Sequence, residues 1–222
     1  MLKIKRYLKP YIALLLGAVM LLFGQAMLEL TLPNYMSDIV NVGLQQGGIT
    51  YSAPEAIDAQ SMQMIQMFMS EEGKAVVENA YTQLGSDDLA ELQKTYPNLQ
   101  AGDYALLGES SEQVESAFSR ASYAMVLTIK QMADKQGSDS SSNAKETSID
   151  PQVMEQLMMA LSQPAMQEQI QSAITEAAVT PETMISQTGP VLVKSFYRVL
   201  GADTDAIQTN YILMDGLKML GL

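Results

Sequence analysis

Residues 10–28 read PYIALLLGAVMLLFGQAML, a run of 19 residues without a charged side chain. At about 1.5 Å per residue, a helix of this length spans roughly 28 Å, which is close to the hydrocarbon thickness of a bilayer. Gln25 is the only polar side chain well inside the run, so the helix is apolar nearly all round, whereas a helix on a soluble protein carries a polar stripe. We therefore predict a transmembrane helix over residues 10–32.

A cleaved secretory signal peptide is the alternative interpretation of this run. Signal peptides share the basic start, and Gly24-Gln25-Ala26 resembles a small-x-small cleavage site. Their apolar core, however, is usually about 7–15 residues long. Here the core is longer, and apolar residues continue past that site to Leu32. The sequence favours the uncleaved helix.

The charges on either side of the apolar run predict its orientation. The first nine residues carry four cations, Lys3, Lys5, Arg6 and Lys9, and no cation follows until Lys74. By the positive-inside rule the N-terminus lies in the cytoplasm, and the domain that follows lies outside the plasma membrane. Within residues 1–9 the apolar residues Tyr7 and Leu8 follow Ile4 at three and four residues, the spacing of one helix face. This segment is therefore either an amphipathic elbow helix on the inner leaflet or a disordered basic flank.

The composition excludes several classes of function. The 222 residues carry a net charge of −12, and an acidic surface repels nucleic-acid phosphate, so no nucleic-acid partner is expected. Cysteine and histidine are both absent. A disulfide framework is therefore excluded, and so is a zinc site built on thiolate or imidazole.

Beyond residue 50, apolar side chains recur at helical spacing. One stripe, between about Ser111 and Ala133, consists of Val114, Phe118, Ala121, Met125, Ile129 and Met132. A second consists of Met166, Ile170, Ala173 and Ala177, and a third of Val77, Tyr81 and Leu84. No run alternates as a strand would, so the fold class is predicted to be all-α, a transmembrane helix plus an extracellular helical domain over residues 50–205.

Polar segments divide this helical domain. Ser86-Asp87-Asp88 has the residue types of a helix N-cap and precedes the sequence LAEL. Gln136–Ser148 is rich in serine and polar throughout, which is typical of a linker, and Asp150-Pro151 is typical of a helix start. We expect the linker to be the internal site most open to proteases.

Two groups of side chains invite a chemical interpretation. Ser61–Ser70 contains four methionines, which are soft enough to bind Cu(I) but are also common in hydrophobic cores, and core packing is favoured. The acidic groups Glu71-Glu72, Asp87-Asp88 and Asp203-Thr204-Asp205 lack the pattern of a calcium loop and suit helix N-termini and solvated surface. The sequence predicts no catalytic, cofactor-binding or metal-ligating residue.

Three stretches resemble the membrane domain of one transporter family. LELTLPNYMSDIVNVG, residues 28–43, resembles the end of the first transmembrane helix of bacterial ABC exporter half-transporters, in which membrane and ATPase domains are fused. KRYLKPY, residues 5–11, is similar to the elbow that opens such domains, and YILMDGLKMLGL, residues 211–222, to the beginning of their second transmembrane helix. In some members a large domain is inserted between these two helices.

The resemblance implies a division of the chain. Residues 1–9 would be the cytoplasmic elbow, 33–49 an extracellular extension of the first helix, 50–205 the inserted domain and 206–222 the truncated start of the second helix. The partners would be the bilayer, the remaining helices and ATPase domain, which would hold ATP and Mg, and a second half-transporter in a homodimer or a heterodimer. The chain is then expected to be an N-terminal fragment.

The resemblance implies that the first helix lines the translocation path, and Gln25 and Glu29, the polar residues near its outer end, are our candidates for residues that face this path. An acid near the outer end of a spanning helix faces either a cavity or the lipid headgroups, and the sequence leaves both open. A membrane-anchored extracellular interaction protein, complete as it stands, is the alternative to the exporter.

Overall fold

A computed structural model describes residues 11–86, 89–135 and 164–220. Within these ranges the chain is 71% helix and 5% strand, which confirms the predominantly helical class. Four sequence predictions lie outside the described residues: the elbow at 1–9, the cap residues Asp87-Asp88, the linker Gln136–Ser148 and the helix start at Asp150-Pro151.

The apolar run forms helix α1, Ile12–Asp38, which continues without a break into a π-helix, Ile39–Gln45. Within Ile12–Asp38 no residue is buried. Pro33 lies inside α1, where its missing N–H leaves the carbonyl of Glu29 without the usual helical bond, yet the helix runs through it. Among the described residues, this 34-residue helical span is the one long and apolar enough to cross a membrane.

Two short helices follow, each begun by a polar cap. The Asp58 carboxylate accepts from the Ser61 N–H at 2.9 Å and starts α2, Ala59–Gln66. The Ser70 hydroxyl accepts from the Gly73 N–H at 3.2 Å and starts α3, Glu71–Ala80. The acidic pair at the start of α3 therefore occupies a helix first turn, as predicted, where carboxylates are favourable.

The third predicted helical stripe is wrong beyond residue 80. Helix α3 ends at Ala80, and the chain enters a small antiparallel sheet of order β1-β3-β2. Its strands are β1, Ala56–Ile57, β2, Tyr81–Gln83, and β3, Tyr104–Leu106. Strand β2 pairs with β3 from Tyr81 opposite Leu106 to Gln83 opposite Tyr104. Strands of two or three residues are too short for their alternation to be seen in the sequence.

The longest helices of the domain pack on each other. After α4, Leu89–Leu92, come α5, Glu112–Lys135, and α6, Pro164–Val179. The predicted stripes of α5 and α6 meet in one hydrophobic core, which confirms the α6 stripe and the α5 stripe as far as the partly buried Ile129. The side chain of Met132, the last member predicted for α5, lies outside the described residues. The buried members are Val114, Phe118, Ala121 and Met125 from α5 and Met166, Ile170, Ala173 and Ala177 from α6.

The last three helices bring the chain back to α1. They are α7, Glu182–Ile185, α8, Gly189–Val199, and α9, Thr204–Leu220. The Asp203 carboxylate accepts from the Ala206 N–H at 2.8 Å and caps α9, in line with the predicted helix N-terminus. A second core cluster, on the side of the domain near α1, includes Ile49, Tyr96, Leu99, Val193, Tyr197 and Leu200.

Candidate functional site: the junction between the apolar helix and the helical domain

The two predicted translocation-path residues lie one above the other on α1. The Gln25 amide donates to the Glu29 carboxylate at 2.9 Å, as side chains four apart on a helix can. Both residues are exposed and lie among exposed apolar side chains. Within the described residues the pair forms a polar spot on an otherwise apolar surface.

Helix α9 packs antiparallel against the π-helix and the end of α1. A Cβ atom on Gly48 would lie 2.8 Å from the Tyr211 Cβ, and one on Gly43 would lie 2.8 Å from the Ile212 Cγ1. One and a half turns further along α9, Lys218 interacts electrostatically with Asp38. Residue numbers therefore increase along α9 in the direction in which they decrease along α1 and the π-helix. The two helical segments run antiparallel and form a helical hairpin.

Glycine at positions 43 and 48 permits this close contact. A side chain at Gly43 would collide with Ile212, and Gly48 combines a positive φ of 79° with the Ile207 carbonyl oxygen only 3.0 Å from where a Cβ would stand. Only glycine adopts that backbone conformation without strain. The two glycines thus allow the π-helix and the turn after it to lie directly against the side chains and backbone of α9.

A polar cluster bridges the same two helices nearer to α1. Asp215 is buried, and its carboxylate pairs with the Lys218 ammonium at 2.9 Å. Tyr211 also interacts with Asp215, while Tyr35 and Asp38 of α1 interact electrostatically with Lys218. A buried carboxylate requires such partners, so the cluster favours one register of α9 on α1.

The segment that leads from the π-helix into the domain is held by side chains from distant parts of the chain. The Glu115 carboxylate of α5 accepts from the Ser52 and Ala53 N–H groups. The Tyr81 hydroxyl donates to the Pro54 carbonyl at 2.6 Å, and the Glu55 N–H donates to the Tyr197 hydroxyl at 3.0 Å. We call residues 51–55 the clamped segment.

The tyrosines around the clamped segment form a connected network. The Tyr197 hydroxyl donates to the Tyr51 hydroxyl at 3.1 Å, and the Tyr96 hydroxyl donates to the Glu55 carboxylate at 3.0 Å. Burial raises the pKa of Tyr51, Tyr81, Tyr96 and Tyr197 above the ordinary value for a phenol. The hydroxyls therefore stay protonated near neutral pH and serve as hydrogen-bonding groups.

The methionine-rich stretch is part of the hydrophobic core. Met62, Met64 and Met69 are buried, whereas Met67 is 43% exposed. The core-packing interpretation is confirmed for the three buried thioethers, and they face apolar neighbours. Among residues 11–86, 89–135 and 164–220, no group of three or more acidic side chains converges where it could hold a metal ion.

Comparisons with protein-family models, with curated proteins and with solved structures each give no match.

Sequence reasoning missed the clamped segment and the polar cluster. Glu115 and Ser52 are 63 residues apart, and Tyr197 and Tyr51 are 146 apart. The tyrosines and glutamates are visible in the sequence, but their positions do not indicate which residues they bond. Gly47 and Gly48 indicate a turn in the sequence, but they do not indicate the helix that packs against it.

Proposed function

We propose that this chain is the N-terminal part of the membrane domain of an ATP-driven ABC exporter, with α1 in the plasma membrane and residues 50–205 outside the cell. The observation that carries the proposal is the hairpin. The two stretches that resemble the first and second transmembrane helices, 28–43 and 211–222, lie at the ends of the sequence, and their described residues pack antiparallel. Consecutive membrane helices require this arrangement, with the helical domain as the connection between them.

The register of the hairpin fits a particular position of the bilayer. Residues 204–218 of α9 lie beside 35–48, above the apolar run at 10–32. In the proposed arrangement this part of α9 and the end of α1 form a two-helix stalk outside the hydrocarbon, and the second membrane helix enters the bilayer near Leu220. The stalk explains why charged residues such as Asp38, Asp215 and Lys218 occur in these helices, since they are unfavourable inside a bilayer.

The exposed surface of α1 also supports a membrane location. Large apolar side chains between Tyr11 and Leu30 are exposed along its length, a surface that is unfavourable in water. Gln25 and Glu29 interrupt it near the outer end. In the exporter they would face the translocation path together with helices from the rest of the membrane domain and from a second half-transporter, while the ATPase domain would hold ATP and Mg.

Topology is the first test, because the chain has no cysteine to complicate labelling. Glu78 is exposed on α3 and Lys3 lies in the basic flank. In intact cells, a membrane-impermeant thiol reagent should label Glu78→Cys and leave Lys3→Cys unlabelled until the membrane is opened. Labelling of Lys3→Cys alone would reverse the topology and exclude the proposal. Labelled Glu78→Cys in the medium, free of membranes, would support the cleaved signal peptide instead.

The coding sequence after Leu222 separates the exporter from an anchored interaction protein. The exporter requires further apolar helices followed by a GxxxxGK[ST] loop, whose backbone N–H groups bind nucleotide phosphates. Their presence, together with ATP hydrolysis by the membrane-embedded product, supports the proposal. A stop codon directly after residue 222 would refute it, even if the topology is as expected.

A further inference from the structure

Two connections join the helical domain to the hairpin, and both are fixed by hydrogen bonds. In the outgoing connection, residues 46–57, the Gln46 N–H donates to the Asn41 carbonyl at 3.0 Å and the Gly48 N–H to the Val42 carbonyl at 2.8 Å. Ile49 follows and is fully buried in the second core cluster. The clamped segment comes next and ends in strand β1. No part of this connection resembles a free tether, because its backbone is paired or buried at each of these steps.

The returning connection, residues 198–204, is fixed to the same core. The Asn98 N–H donates to the Leu200 carbonyl at 2.9 Å, and the Asn98 amide donates to the Val199 carbonyl at 3.1 Å. The Ala202 N–H donates to the Tyr197 carbonyl at 2.8 Å. Leu200 is also buried, so both the backbone and a side chain of this turn are held by the domain.

Tyr197 takes part in both connections. Its hydroxyl accepts from the Glu55 N–H and donates to Tyr51 of the outgoing connection, while its backbone carbonyl accepts from Ala202 of the returning one. Its ring is fully buried and lies 5.1 Å from the ring of Tyr96. Tyr197 thus joins the two connections to each other, by its hydroxyl on the outgoing side and its backbone carbonyl on the returning side, and its buried ring joins both to the core.

The turn at residues 47–48 has no room to act as a hinge. A Cβ on Gly47 would lie 2.6 Å from the Lys194 Nζ, and Gly48 touches Tyr211 and the backbone of α9. Hinges between domains are segments that can absorb large backbone rotations, which requires few packing contacts. Here the Lys194 side chain of α8 covers one glycine and α9 covers the other.

We propose that the helical domain is a rigid strut that holds the outer ends of α1 and α9 at a fixed separation, with Tyr197 as the residue that couples its two connections. The domain and the stalk then move as one body. A movement that opens the outer side of the molecule must occur between this body and other helices, because α1 and α9 cannot part without breaking the buried tyrosine network. The strut does not depend on the exporter assignment and holds equally for an anchored protein.

Spin-label distances in the full chain, reconstituted in lipid, test the strut. Labels at Met36→Cys on α1 and Glu78→Cys on α3 replace exposed side chains on either side of the junction. A rigid connection gives a single narrow distance distribution. The doubly labelled chain carries no other substitution, and circular dichroism checks that it is still helical. If it is helical but gives a broad distribution or several distances, the connection is a flexible tether and the strut is refuted.

Hydrogen exchange in the Tyr197→Phe variant tests the coupling role separately. The variant keeps the ring but leaves the Glu55 N–H without its acceptor. Exchange should rise together in residues 51–55 and 198–204, by about tenfold or more, and should not rise in α6. Tyr123→Phe, which removes a partly buried hydroxyl from α5, is the matched control and should leave both segments unchanged. Faster exchange in 51–55 alone would show that Tyr197 does not couple the connections, and a uniform rise that includes α6 would mean general destabilisation and refute a specific role.

Discussion

Replacing Gly43 with alanine tests how closely α9 is seated on the π-helix. The new methyl group would stand 2.8 Å from the Ile212 Cγ1 and 3.5 Å from its Cδ1. The first distance is shorter than a normal carbon–carbon contact of about 3.5–4.0 Å, so either the Ile212 side chain or α9 itself must move. Cγ1 is close to the helix backbone, and β-branched side chains have one strongly preferred rotamer in a helix, so a simple rotation gives little relief.

The expected effect is the difference of two terms. Overpacking a close contact destabilises by about 1–3 kcal/mol, while glycine to alanine in a helix stabilises by about 0.5–1 kcal/mol. With the middle of each range, about 2 and about 0.75 kcal/mol, Gly43→Ala should lower the free energy of unfolding by about 1 kcal/mol. For a chain of this length, that corresponds to a fall in melting temperature of about 2–4 °C.

The assay is thermal unfolding of the detergent-solubilised chain, followed by circular dichroism. Gly216→Ala on α9 is the matched control, because a Cβ there meets nothing within 4 Å and only the favourable helix term remains. Its melting temperature should stay level or rise. Adding Ile212→Ala to Gly43→Ala removes both colliding atoms, so the double variant should be more stable than the sum of the single effects by about 1 kcal/mol. Equal behaviour of Gly43→Ala and Gly216→Ala would refute the described packing.

Three further predictions concern the helical domain. Met64→Ala should lower the free energy of unfolding of the domain by about 2–5 kcal/mol in denaturant, because Met64 is fully buried. The control Met67→Ala should change it by less than about 1 kcal/mol, and equal losses in the two variants would contradict the core assignment. Burial raises the pKa of Tyr81 and Tyr197, so the folded state holds these protons more tightly than the unfolded state. Their contribution to the free energy of unfolding should therefore be complete below about pH 10 and be lost above it, and the loss of stability at high pH should be smaller in Tyr81→Phe than in the unmodified chain; an unchanged loss would argue against the burial of Tyr81. Ser70→Ala should cost about 0.5–2 kcal/mol through loss of the α3 cap, whereas Ser70→Asp should keep most of the stability, and thermal melts of both variants check this.

Helix α1 and the long helices of the domain could be predicted from the sequence because each has a pattern that is visible among neighbouring residues. A run of 19 uncharged residues suits a bilayer whatever the rest of the chain does. The stripes of α5 and α6 recur every three or four residues because one face of each helix meets the core. The contact between Gln25 and Glu29 follows from the same helical geometry, since residues four apart share a helix face, although the sequence analysis did not predict it.

The strand at Tyr81 and the junction could not be predicted in this way. Val77, Tyr81 and Leu84 have helical spacing, but pairing of Tyr81–Gln83 with β3 ends the helix at Ala80. The residues that pair with this strand lie more than twenty positions further along the chain, so the spacing of neighbouring residues cannot indicate them.

The apolar helix and the acidic, helical remainder of the chain could thus be predicted from patterns among neighbouring residues. The hairpin of α1 and α9, and the hold of Glu115 and three tyrosines on residues 51–55, became visible only in the folded chain. The two kinds of feature differ in the range of the interactions that produce them. Hydrophobic periodicity is a pattern of neighbouring residues, whereas the hydrogen bond between Tyr197 and Tyr51 joins residues 146 positions apart in the chain.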